Sequence, residues 1–414
     1  MIRPSFSFLT AGFLLIGLSG CAEAPIQVGN DKVERPLEQV TGITSDDFQK
    51  TEQKSSLNLW DVYNLSVKHT EDLASKYENI LQSDAQSRQA VASVLPQIGI
   101  TGTKAFISNN YIGGGNSGLS PISSTTVYFT GSETLLTGLN QVAAIQGAQA
   151  QVDQNHHLFQ QEARNLLLNV ARSFYAALQA QENLQSKQAI QGLTQQVLRQ
   201  EQQWRAIGRS RDSDVLSVQA QLAQLAGDIE NAQNQLTQAR ENLVVLADLK
   251  PDQPLAAEET PVTPSYSLED AQAKTGLRSD VLAAKAAVDL ADAQLLQAHG
   301  EHLPSLSLQG QYYVDKEGGF PQPDWNVQLV ASLPIFDGGN SFALEDQAAS
   351  KKRQAELQYS LTRRQALEDI REAYQSLTSS LTQVDAYGKA LDAAQKEYDA
   401  VEHDRRLALN TELD

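Results

Sequence analysis

Ser132-Glu-Thr-Leu-Leu-Thr-Gly-Leu-Asn140 and Ser332-Leu-Pro-Ile-Phe-Asp-Gly-Gly-Asn340 stand 200 residues apart, and Ser132, Gly138 and Asn140 match Ser332, Gly338 and Asn340. The match is one point on a longer duplication. Gly208-Arg-Ser-Arg-Asp-Ser-Asp214 lies over Ala408-Leu-Asn-Thr-Glu-Leu-Asp414 at the same offset of 200. Earlier in each copy the offset is 208: Asp72-Leu73 pairs with Asp280-Val281, and Leu95-Pro96 with Leu303-Pro304. The eight-residue difference therefore falls between Pro96 and Ser132. Each copy reads helix, strand, loop, strand, long helix, turn, and the first runs on into a returning helix.

The strands separate a rod from a channel. Residues 97–107, 125–135, 305–314 and 325–333 each have about the length of a tilted membrane strand, roughly 9–11 residues. Alternation is clearest at Leu306 and Leu308 and at Val327 and Leu329. Four strands cannot close a barrel, since about eight is the smallest number that spans an outer membrane. Strands that enter lipid therefore require oligomerisation, and three chains supply twelve. The alternative is a soluble four-stranded sheet capping a coiled coil. Gly113-Gly-Gly-Asn-Ser-Gly118, between two strands, lacks the following Lys-Ser/Thr of a phosphate loop and reads as a surface loop.

Proline is absent from residues 122–250 and again after Pro334, as long helices require. Val215, Val218, Leu222, Leu225, Ile229, Ala232, Leu236, Ala239, Leu243 and Leu246 alternate steps of three and four, a sustained heptad seam. In the second copy Leu367, Ile370, Tyr374, Leu377, Leu381 and Val384 form a seam. Tyr387, Leu391, Ala394, Tyr398 and Val401 resume it after one shortened step. A helix over residues 139–206 would reach roughly 100 Å at about 1.5 Å per residue.

The apolar stretch at residues 6–18 follows Arg3 and is too short to span a bilayer, so it reads as the core of a signal peptide over residues 1–20. No transmembrane helix is expected after it. Cys21 is the only cysteine and cannot form an internal disulfide. Residues 21–54 are polar and without apolar period, a tether, and the proline- and acid-rich residues 251–266 form a linker. The expected organisation is thus a first repeat over 55–250 and a second over 267–414. Formal charge is −18, and loss of residues 1–20 with their single Arg3 makes it −19, which argues against binding nucleic acid through its phosphates.

Leu18-Ser-Gly-Cys21 resembles the lipobox of bacterial lipoproteins, which implies acylation of Cys21 and, with Ala22 next to it, an outer-membrane destination. The Leu-Pro strand starts, the Leu135-Leu-Thr-Gly138 and Ile335-Phe-Asp-Gly338 strand exits and the duplicated turns near 208 and 408 together resemble TolC-type outer membrane efflux proteins over residues 55–414. The resemblance implies a mainly α fold with a small β part: a trimer whose twelve strands make one outer-membrane barrel and whose helices make a periplasmic tunnel. It implies an exit duct for tripartite efflux, working with a periplasmic adaptor and an inner-membrane pump, or for type I protein secretion. The lipobox leans toward efflux, while the Gly-Pro-Asp-Tyr-type segment of that branch is missing after Cys21. A structural coiled-coil lipoprotein and a periplasmic adaptor are the rivals of other classes. Adaptors present one helical hairpin between β-rich domains, which two duplicated halves do not match.

By the same resemblance, Ile207, Gly208, Arg209 and Ser210, with Leu407, Ala408, Leu409 and Asn410, would meet the adaptor's hairpin tips. Gly208 also suits a tight reversal on local grounds, and the second copy departs by carrying Ala408. The acidic pairs Asp212 with Asp214 and Glu412 with Asp414 either cap the returning helices or, recurring three times, ring the pore entrance. The position of Asp414 resembles that of an aspartate lining the entrance of TolC-like ducts. The second copy stops inside its turn motif, so a fragment lacking one heptad-patterned helix is expected. No catalytic constellation, cofactor or metal site is expected: His156 and His157 are consecutive and point about 100° apart on a helix.

Overall fold

A computed structural model describes residues 51, 54–106, 123–256, 267–317 and 323–406. The signal peptide, Cys21, most of the tether, the Gly113–Gly118 loop, much of the linker, and Leu407, Ala408, Leu409, Asn410, Glu412 and Asp414 lie outside the described residues. In chain order the elements are α1 (Leu59–His69), α2 (Glu71–Ala92), β1 (Gln97–Phe106), β2 (Ser123–Thr137), α3 (Asn140–Ala206), α4 (Asp212–Ala247), α5 (Leu268–Ala273), a 3-10 turn (Thr275–Leu277), α6 (Ser279–Gly300), β3 (Ser305–Glu317), β4 (Trp325–Ser332) and α7 (Asn340–Arg406). The fold is mainly α with one small sheet. Both strand pairs lead into a helix of 67 residues. Each such helix is about 100 Å long at about 1.5 Å per residue. Among the described residues no helix is long and apolar enough to cross a membrane.

The described chain divides into two compact units. One contains α1, α4 and the part of α3 from Asn169 onward. Asn58 starts α1 with a reciprocal cap: its side chain accepts the Asp61 N–H at 2.9 Å, and the Asp61 carboxylate accepts the Asn58 N–H at 3.1 Å. Lys54 holds the same carboxylate at 2.6 Å. A parallel bridge between Leu57 and Leu255 ties the start of α1 to the segment after α4. All ten seam residues of α4 are buried or half-buried, with Val215, Ala232, Leu236 and Leu243 fully so. Leu184 of α3 packs with Ala232 and Leu236. Arg240 clasps the facing helix and the following turn, through Gln181 at 3.1 Å and the Pro251 carbonyl at 2.7 Å.

The second unit holds α2, the start of α3, α5 to α7 and the whole sheet. Small residues let its helices approach closely. Ala283, Ala286, Ala291, Ala293 and Ala298 of α6 are buried, and a Cβ added at Gly147 of α3 would lie 3.4 Å from that of Ala293. Phe159 is fully buried with Tyr77 edge-on at 6.1 Å between ring centroids. Arg278, before α6, chelates Asp280 at 2.7 and 3.1 Å and reaches Asp369 of α7 at 2.9 Å. Burial pushes the Asp280 carboxyl up, but the Arg278 guanidinium and the backbone N–H groups of Val281 and Asp280 together outweigh it and the net displacement is downward.

The second seam differs from its expected packing along its length. Leu367, Ile370, Tyr374 and Leu377 are half-buried, whereas Leu381, Val384, Tyr387, Leu391, Ala394, Tyr398 and Val401 are exposed. No described element faces α7 beyond Leu377. His156 and His157 are half-buried on α3.

Candidate functional site

The sheet is antiparallel throughout, in the order β1-β2-β3-β4. Alternation sorts its side chains onto two chemically different faces. Ile98 and Ile100 of β1, Phe129 of β2, Leu308 and Tyr312 of β3, and Trp325, Val327 and Leu329 of β4 share one face through the ladders Ile100↔Phe129↔Tyr312↔Trp325 and Leu308↔Leu329. They are exposed, Ile98 by 81% and Leu329 by 64%. The opposite face carries Thr101, Thr103, Thr130, Ser132, Gln309, Gln311, Asn326 and Gln328. Polar contacts knit it: Tyr313 donates to Gln311 at 2.9 Å, Asn326 donates to the same amide oxygen at 3.2 Å, and the Tyr128 and Tyr313 rings sit 5.2 Å apart. Among the described residues, β1 and β4 are each paired on one side only.

Short turns join the sheet to the long helices. After β2, Gly138 takes the left-handed φ of 57° and its N–H donates to the Pro304 carbonyl at 3.1 Å. Asn140 donates to Glu301 at 3.0 Å. A Cβ at Gly138 would lie 2.9 Å from that of Leu303, so only glycine allows the turn to seat on the end of α6. After β4, Gly338 and Gly339 have φ of 74° and 87°. Here Asp337 organises the turn, accepting the Ser341 N–H at 2.7 Å, the Gly339 N–H at 3.0 Å and the Ser341 hydroxyl. The Ser341 hydroxyl above all, then its N–H, holds the Asp337 carboxyl below the usual range.

The reversal between α3 and α4 is fixed by its own residues. Gly208, φ 74°, donates to the Arg205 carbonyl at 3.0 Å, and Arg209 donates to Trp204 at 2.8 Å, the Schellman pairing that ends a helix. A residue with a Cβ in that left-handed backbone costs about 1–2 kcal/mol. Ser210 donates to Glu201 at 2.6 Å. Asp212 pairs with the Arg205 guanidinium, and the Asp214 carboxylate accepts the Arg211 N–H at 3.0 Å. Both acids therefore stabilise the first turn of α4. Ile207 and Arg209 point outward, Ile207 with 66% of its surface exposed.

A sequence profile for the family described as outer membrane efflux protein matches residues 62–247 and 272–407. The chain belongs to that family. It is 27% identical over 257 residues to outer membrane protein TolC of Vibrio cholerae serotype O1, covering 58% of this chain and 57% of that protein. With outer membrane protein TolC of Escherichia coli K12 it shares 25% identity over 391 residues, 84% of this chain and 76% of that one. The chain thus spans little more than half the length of the Vibrio relative. The Campylobacter jejuni CmeC outer membrane channel has the same fold, with a TM-score of 0.73 at 16% identity over 88% of this chain and 79% of that one. The outer membrane, with helices reaching into the periplasm, is where a member of this family resides.

Within this outer membrane efflux protein, the structure brings Ile207, Gly208, Arg209, Ser210, Asp212 and Asp214 together at one helix reversal. Their counterparts from Leu407 to Asp414 lie outside the described residues. Asp337 escaped the sequence reading, although Asp-Gly-Gly before a helix is a turn and capping signal. Because its pKa is depressed in the folded state, its stabilisation is whole above the unfolded value of about 3.9 and is lost as pH falls through the lower folded value. Asp337→Ala is expected to lower the melting temperature at pH 6, with the gap to the parent closing as pH is taken to 2. A gap that stays constant over that range would remove Asp337 from the turn's stability.

Proposed function

We propose that this chain is the outer-membrane exit duct of a tripartite efflux system, exporting small molecules from the periplasmic side, and that it works as a homotrimer with a periplasmic adaptor and an inner-membrane pump. The observation that carries the reading is the sheet. It has one apolar and one polar face, two edges that are unpaired among the described residues, and direct continuity with long helices, as a segment of a barrel with lipid outside and water inside would. Four strands per chain and a minimum of about eight per barrel are met by three copies. The duct does no chemistry on its cargo and needs no cofactor. Two tandem repeats, 55–250 and 267–414, joined by a linker at 251–266, account for the repeated strand pairs and helices.

Detergent-extracted protein is expected to run as a trimer and to conduct ions in planar bilayers. A non-conducting monomer would favour the structural lipoprotein instead. Cys21 is the proposed lipid anchor. Cys21→Ala is expected to abolish fatty-acid labelling while leaving membrane insertion, since the strands supply their own affinity; labelling that persists would reject the anchor.

The exposed reversal at Ile207, Gly208, Arg209 and Ser210 is the proposed adaptor contact, together with Leu407, Ala408, Leu409 and Asn410. Asp212, Asp214, Glu412 and Asp414 are proposed at the pore entrance, where three copies would place up to twelve carboxylates around one axis and favour cations. The caps made by Asp212 and Asp214 occupy those two in a local role as well. Gly208→Trp is expected to leave trimers and conductance intact and to cut drug resistance several-fold, with weaker adaptor crosslinking. Resistance and crosslinking equal to the parent would place the adaptor elsewhere.

A further inference from the structure

The polar face of the sheet gathers its hydrogen-bonding groups at one place. Thr130, Gln311 and Asn326 form one row across β2, β3 and β4, and Ser132, Gln309 and Gln328 form the next. These six side chains, with the backbone of Gly131 and Gly310 between them, line a cleft of about 220 Å³. All six are neutral, and each amide or hydroxyl both donates and accepts hydrogen bonds. Tyr128 and Tyr313 are the next side chains on that face, with ring centroids 5.2 Å apart. Beyond them, Lys316 lies over the Tyr313 ring at 6.0 Å and pairs with Asp324 at 2.7 Å.

Part of this array is already oriented. The Gln311 amide oxygen accepts from the Tyr313 hydroxyl at 2.9 Å and from the Asn326 amide nitrogen at 3.2 Å, which engages both of its lone pairs. That sets the sense of both amides. It leaves the Gln311 amide nitrogen as a donor and the Asn326 oxygen as an acceptor, neither with a partner among the described residues. Gln309 and Gln328 stand opposite each other, exposed, and their side-chain amides are unengaged among the described residues as well.

We propose that this cleft is a binding station for a neutral polyhydroxylated solute, a linear oligosaccharide, on its way through the duct. The proposal rests on the trimeric duct reading, which puts the polar face in the water-filled lumen, and it names a substrate class for that lumen. Adjacent sugar hydroxyls donate and accept as a pair, the complement of the Gln311 amide nitrogen and the Asn326 oxygen. Equivalent groups recur from strand to strand at about 4.8 Å, close to the rise of one hexose unit along a chain. The C–H face of a pyranose ring has the tyrosine pair to lie on. An ion would find no counter-charge among the six lining side chains. An apolar solute would displace water from their amides and hydroxyls and replace it with nothing.

Current through the protein in planar bilayers, with maltohexaose added to both sides, tests the cleft. Maltohexaose is expected to block the current saturably. Polyethylene glycol of the same hydrodynamic size, whose ether oxygens only accept hydrogen bonds, is expected to reduce it without saturating. Gln311→Leu with Asn326→Leu is expected to raise the half-blocking concentration of the sugar about tenfold, since two hydrogen bonds are lost. Gln309→Ala with Gln328→Ala, at exposed positions whose amides hold nothing in place, is expected to move it in the same direction and serves where the first pair fails to assemble. Thr103→Ala, on the same face but outside the cleft, is expected to keep the parent's value. Block that is equal for sugar and polymer, or unmoved by both cleft pairs, overturns the saccharide site and leaves the duct intact. A parent protein that carries no current overturns the duct reading, and the role of the cleft falls with it.

Discussion

Every backbone N–H and C=O that enters hydrocarbon must find a partner, because no water is there to receive it. In this chain the constraint falls on two rows of atoms: the outer edge of β1 and the outer edge of β4. The remaining ladders are satisfied within the sheet. The side chains are already sorted for two solvents, with Ile98, Phe129, Trp325 and Leu329 on one face and Thr130, Gln309, Gln311 and Gln328 on the other. A soluble sheet would bury its apolar face on a helix. Among the described residues this one leaves that face bare and both edges unpaired, as the proposed barrel segment requires.

The helices meet a different requirement. A helix of 67 residues has little tertiary support at any one point, so it depends on a continuous apolar stripe. The α4 seam answers to this from Val215 to Leu246, every position being withdrawn from water. Alanine does as much as leucine, since Ala283, Ala286, Ala291, Ala293 and Ala298 of α6 are all buried. Where no described element faces α7, the same heptad chemistry stands exposed. The period is a property of the sequence; its burial is a property of what stands opposite.

That distinction explains what could be read from the chain alone. The mainly helical fold, the four strands and the α4 seam were legible because each is a local periodicity repeated over many residues. The duplication was legible because Gly138 and Gly338 hold a left-handed backbone that few other residues adopt, each with an asparagine two positions on at the start of a long helix. Less accessible were the bulges at Leu135 of β2 and Val314 of β3 and the extension of β2 to Ser123 and Thr137, since a bulge depends on the partner strand and leaves no compositional mark. At the reversal, Gly208 was evident from its type. The engagement of Asp212 with Arg205 and of Asp214 with the Arg211 N–H was open between capping and pore lining, and a single chain supplies the geometry for the first.

The Asp337 turn has a consequence for symmetry. Three copies would build a ring of six hairpins that is nearly sixfold in its backbone, with joints inside a chain alternating with joints between chains. At the joint inside the chain the residue before the turn is Thr137; at the other it is the carboxylate of Asp337, held by Ser341 and Gly339. The joint inside the chain carries its carboxylate on the helix side instead, at Glu301 against Asn140, so the charge shifts place from one joint to the next. A surrounding protein that reads charge could tell one kind of groove from the other and settle at three positions rather than six, although the main chain offers it six equivalent places.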